Sequence, residues 1–103
     1  MADMIPVAGT WPKLTKGYLA MLEASLGHNY DVTVKQTKEG FWIVTVKFDD
    51  QKQSLCMTTA RGDTKVWRNI IGAISFVQDN CALASRVFVE IGDWTLCRSE
   101  SVV

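Results

Sequence analysis

From Phe41 to Phe48 the chain alternates with a period of two. Trp42, Val44, Val46 and Phe48 fall on one side of an extended backbone, and Phe41, Ile43, Thr45 and Lys47 on the other. A helix cannot bury such a pattern on one stripe, so this stretch must be a strand. A shorter alternation precedes it, from Asp31 to Lys35, with Val32 and Val34 on one face. Thr37-Lys38-Glu39-Gly40 between the two is a hairpin signal. Asp49-Asp50-Gln51-Lys52 makes the next turn and Ser54–Thr59 a third strand, so the three strands are expected to form an antiparallel meander.

Helical spacing appears on both sides of this meander. Thr10 or Thr15 can cap a first helix, with Pro12 tolerated in the first turn. Leu14, Tyr18, Met21, Leu22 and Leu26 recur at helical intervals, and Gly27 is a natural stop. A second helix is expected to start at Asp63 or Thr64 and to end near Asn80. Its apolar stripe would be Val66, Trp67, Ile70, Ile71, Ile74 and Val77. Gly72 sits inside it at a cost of about 1 kcal/mol relative to alanine, which points to close packing there. Arg86–Ile91 alternates again as a strand, Gly92-Asp93 turns the chain, and Trp94–Cys97 can add a short extra strand.

The expected fold is therefore α+β: an antiparallel sheet of four strands, five with Trp94–Cys97, and two helices in the order α-β-β-β-α-β(-β). Residues 1–9 read as a flexible arm, 10–97 as a single domain and 98–103 as a polar tail. Phe41, Ile43 and Phe88 lie opposite the main inward-facing residues, so a second cover is expected from the first helix or from a dimer partner.

The chain has 103 residues, enough for one domain, and 48% of them are hydrophobic, enough for a core without disulfide staples. The formal net charge is +0, so any phosphate-binding role must rest on a local patch rather than an overall basic charge. No apolar run reaches the roughly 18 residues of a membrane span, and Met1–Thr10 lacks the pattern of a signal peptide. Cys56, Cys81 and Cys97 are odd in number and without Cys-x-x-Cys spacing; they read as reduced thiols of a cytoplasmic protein. With His28 as the single histidine, no zinc ligand set and no catalytic residue is expected, nor any cofactor.

Arg61, Lys65 and Arg68 are the candidate anion- or partner-binding residues. If a helix starts at Asp63, all three gather at its N-terminus, where a bound anion is favoured but side-chain cations oppose the macrodipole. Arg61-Gly62-Asp63, a tripeptide that integrins read, is accounted for as a turn followed by a helix cap. Of the four tryptophans, Trp42 and Trp67 fit core positions. Trp11 and Trp94 stand near element ends and are candidate interface aromatics.

The segment Leu55-Cys-Met-Thr-Thr-Ala-Arg-Gly-Asp-Thr-Lys-Val-Trp-Arg-Asn resembles a module of small plasmid and mobile-element proteins described as partition-associated, or ParC-like. The matching residues are Thr59, Arg61, Gly62, Lys65, Trp67 and Arg68, within a resemblance that spans about residues 41–95. It implies a non-enzymatic accessory protein acting through contacts with protein or DNA. The expected function is accordingly an interaction protein from a plasmid or other mobile element, binding a protein partner through exposed aromatics and the Arg/Lys patch, with a homodimer allowed. The alternatives are an inhibitor of a host defence complex, similar in kind to anti-CRISPR proteins, and a nucleic-acid-binding accessory module.

Overall fold

A computed structural model describes residues 14–26, 29–49 and 54–98. The expectations placed on Thr10, Trp11, Pro12, Gly27, His28, Asp50–Lys52, the arm at 1–9 and residues 99–103 lie outside this range. The elements are α1 (Lys16–Leu26), β1 (Tyr30–Gln36), β2 (Trp42–Phe48), β3 (Leu55–Cys56), α2 (Ile70–Asn80), β4 (Arg86–Ile91) and β5 (Trp94–Cys97). The fold is α+β with the expected element order.

Thr15 caps α1: its hydroxyl accepts from the Tyr18 N–H at 3.1 Å. Leu14, expected inside the helix, lies before it, and its carbonyl accepts from the Thr58 N–H at 2.9 Å. β1 and β2 pair antiparallel in full register, from Tyr30 opposite Phe48 to Gln36 opposite Trp42. The turn between them is closed by the Gly40 N–H to the Thr37 carbonyl at 3.0 Å, with Gly40 at φ 94. β3 joins β2 antiparallel over only Leu55 and Cys56.

The sheet order is β3-β2-β1-β4-β5, and β4 runs parallel to β1. The expectation of a purely antiparallel sheet is corrected here. The chain leaves β3 at one edge, crosses the sheet through α2 and comes down beyond β1. A strand reached by such a crossover points the same way as the strand it left, and β3 and β1 already share a direction. β4 and β5 then form a tight hairpin, with Ile91 opposite Trp94 and Gly92 at φ 58 in the turn.

The pairing puts Tyr30, Val32, Val34, Trp42, Val44, Val46 and Phe48 on one face, all buried. Each such side chain contributes about 1.5–3 kcal/mol by leaving water. Both helices cover this face. Leu19 of α1 is buried in the core and Glu23 accepts from the hydroxyl of Tyr30, while α2 contributes Ala73 and Val77. Of the two covers expected for the opposite face, α1 is thus placed on the buried face instead. Among the described residues no helix covers that opposite face, and its Thr33, Lys35, Ile43, Thr45 and Phe88 are half-buried. Across it Arg86 grips Asp31 with two hydrogen bonds, 3.0 and 2.8 Å, and lies over the Phe88 ring at 5.9 Å.

Candidate functional site

The segment from Thr58 to Asn69 departs most from expectation. Thr58 and Thr64 form an antiparallel bridge, the Thr59 N–H donates to the Asp63 carbonyl at 2.8 Å, and the Gly62 N–H donates to the Thr59 carbonyl at 2.9 Å. Gly62 has φ 98, a conformation that L side chains adopt at a cost. Arg61-Gly62-Asp63 is therefore the tip of a small hairpin, and Asp63 closes it through its carbonyl rather than capping a helix. The returning arm is extended. The Lys65 N–H bonds the Met57 carbonyl at 2.9 Å, and Trp67 exchanges two backbone hydrogen bonds with Trp42, at 2.8 and 2.9 Å.

The second helix consequently starts at Ile70, with Asn69 as its cap; the Asn69 Oδ1 accepts from the Gly72 N–H at 3.0 Å. Gly72 is indeed a close approach: a Cβ there would stand 2.9 Å from Cδ1 of Trp67.

This geometry divides the three candidate cations, so they do not gather at the helix start. Arg61 is exposed at the hairpin tip. Lys65 folds its ammonium back onto the Trp67 and Phe76 rings, 5.6 Å from each centroid, a cation–π arrangement within the fold. Only Arg68 adjoins the cap, and it is exposed. Among the described residues neither Arg61 nor Arg68 has an ion-pair partner. Two residues assigned to the apolar stripe join them at the surface: Ile71 is 72% exposed and Val66 48%. Their exposure was hidden in the sequence because Val66, Trp67 and Ile70 have helical spacing although Val66 and Trp67 are extended.

A second surface lies at the far edge. α2 packs chiefly over β2 and β1, which leaves a half-open groove of about 360 Å³ between α2 and the β4–β5 hairpin. Val34, Val77, Cys81, Val89, Leu96 and Arg98 line it. Arg98, expected to begin the tail, is anchored. Its N–H bonds the Val87 carbonyl at 2.9 Å, and its guanidinium donates to the carbonyls of Ala84 (2.6 Å) and Ala82 (3.3 Å) in the loop after α2. Beside the groove stand Trp94, 72% exposed as its position suggested, and the exposed Leu96 and Ile91.

Two of the three thiols are shielded from water. Burial pushes the Cys81 thiol up to about 12, with Glu23 adding to the effect. Burial also raises Cys56, against a smaller opposing pull from Lys35. A thiol held neutral is a poor nucleophile. The hydroxyl of Tyr30 is raised as well, by burial first and then by its bond to Glu23. Among the described residues no group of three His, Cys, Asp or Glu side chains is placed to hold a metal ion, and no helix is long and apolar enough to cross a membrane.

No family model matches the chain, and neither a curated protein nor a solved structure matches it.

Proposed function

We propose that the protein is a non-enzymatic interaction module that binds a protein partner through the exposed residues of the segment from Arg61 to Ile71: Arg61 at the hairpin tip, and Val66, Arg68 and Ile71 where the arm returns to α2. The carrying observation is that one segment exposes two aliphatic side chains, Val66 and Ile71, and two arginines without carboxylate partners among the described residues. Aliphatic area supplies hydrophobic association, and arginine is enriched among residues that dominate binding energy. The resemblance of residues 41–95 to partition-associated proteins supports a partner engaged in the upkeep of a plasmid or other mobile element.

Capture from nuclease-treated lysate of the source cell tests the reading, with wild type run beside Arg61→Ala/Arg68→Ala and Ile71→Ser. The expected result is a protein held by wild type and lost from both variants. A partner held equally by all three removes this surface from the account.

The two unpaired arginines also support the nucleic-acid reading. Titration of a labelled duplex over a salt series decides it, because binding through phosphates weakens steeply with salt. If there is no affinity at low salt, the reading fails.

A further inference from the structure

The open edge of β5 carries a pairing pattern of its own. The Arg98 N–H bonds the Val87 carbonyl, and the register places Val89 opposite Leu96 and Ile91 opposite Trp94. Antiparallel ladders alternate hydrogen-bonded and non-hydrogen-bonded pairs. Leu96 and Trp94 therefore direct their backbone groups inward to β4, and Thr95 and Cys97 direct theirs outward, where the described sheet has no further strand. Trp94-Thr95-Leu96-Cys97 contains no charge and no proline, the devices by which exposed edges usually repel a second strand.

We infer that β5 pairs antiparallel with β5 of a second copy of this chain about a two-fold axis at Thr95, joining two sheets into one. A two-fold axis perpendicular to the sheet keeps the helix-covered faces on the same side, so residues that meet must share a face. Centred on Thr95, the register sets Thr95 against Thr95 as a hydrogen-bonded pair and Cys97 against Asp93, forming about six backbone hydrogen bonds in all. Trp94 then stands opposite Leu96 of the second copy in the closer, non-hydrogen-bonded pairing, where aromatic and aliphatic side chains gain most. Leu96 lines the groove, so each Trp94 lies at the mouth of the other copy's groove and loses its exposure to water. A register centred on Leu96 would instead set Trp94 against Arg98, whose guanidinium is already committed to the carbonyls of Ala82 and Ala84. No like charges face each other across the Thr95-centred pairing.

The test is sedimentation of wild type, Thr95→Glu, Thr95→Lys and Thr95→Pro across a concentration series, with circular dichroism on each. Thr95 lies on the open face opposite Glu90 of its own chain. Thr95→Glu therefore lines up four carboxylates across a dimer and should weaken association about tenfold or more. Mixing Thr95→Glu with Thr95→Lys should restore a mixed dimer, which requires residue 95 to face its own counterpart. Thr95→Pro removes the outward N–H without removing a bond to β4 and should also give monomer; it carries the test if Thr95→Glu fails to fold. A wild type that stays at the 11.5 kDa chain mass at its highest soluble concentration overturns the inference. So does a dimer that Thr95→Glu and Thr95→Pro leave intact, or one lost in Thr95→Glu that Thr95→Lys does not rescue. The interface shares no residue with the Arg61–Ile71 surface, so its failure leaves the proposed function standing, and the reverse.

Discussion

The two edges of the sheet are finished in opposite ways. At the β3 edge the chain uses its own backbone: the Leu14 carbonyl takes the Thr58 N–H, the returning arm pairs at Thr64 and Lys65 with Thr58 and Met57, and Trp67 takes the place beside Trp42 of β2. Leu14 and Met57 are both fully buried there. At the β5 edge all four residues of the strand are exposed, and α2 stops short of covering the sheet beneath. One edge is sealed by contacts distant in sequence, and the other carries uncharged residues whose outward backbone groups meet no further strand among the described residues. The difference separates an edge that the described chain accounts for by itself from one where the inferred pairing with a second copy would act.

The sharpest way to break this comparison is the same truncation at both edges. Leu14→Ala should cost about 2–5 kcal/mol in urea unfolding, since it empties a fully buried site that closes the sheet. Leu96→Ala, measured on dilute protein, should cost no more than about 0.5 kcal/mol. Equal costs would mean that the β3 edge is not sealed by Leu14 or that Leu96 belongs to the core.

Next in size is Gly72→Ala. In an exposed helix alanine would stabilise by about 1 kcal/mol. Here the added Cβ meets Trp67 at 2.9 Å, and Trp67 is held by Trp42 through its backbone and by Phe76 through a ring contact at 5.1 Å. The net effect should be a loss of about 1–3 kcal/mol by thermal unfolding. A stabilised variant would show that Trp67 moves freely and that the returning arm is loosely held.

These two regions also mark what the sequence made legible. The β1–β2 hairpin, the faces of β2 and the β4–β5 turn follow from alternation and turn chemistry, which act within a few residues. The start of α2 did not follow, because the extended conformation of Trp67 is set by Trp42, a residue far away in sequence whose backbone it pairs with. For the same reason Ile71 and Val66 read as core, and the three cations read as one cluster. The parallel pairing of β1 and β4 depends on where α2 crosses the sheet, which no local pattern encodes. Exposure of Trp94 was legible from its place at a strand end. The groove beside it was not, since it arises from a helix stopping short of β4.

Within the sealed region, the hydroxyls of Thr58 and Thr59 are buried and find no partner among the described residues. Such a group forfeits its bonds to water and gets nothing in return. Thr58→Val keeps the shape and removes the hydroxyl, so it should stabilise by about 1 kcal/mol, read as a rise in Tm of about 4–8 °C. A fall in Tm would reveal a partner for that hydroxyl and a different account of how the edge is closed.

The smallest effect on folding should come from Trp94→Ala, and it discriminates between two roles for the open edge. With Trp94 72% exposed, dilute protein should lose no more than about 0.5 kcal/mol. If β5 pairs with a second copy, wild-type Tm rises with protein concentration, because association stabilises only the folded chain. Trp94→Ala should flatten that dependence while leaving the dilute limit unchanged. A loss of stability independent of concentration would place Trp94 over its own groove, as part of the fold. The β5 edge would then be covered from within, by a side chain, as the β3 edge is covered by backbone.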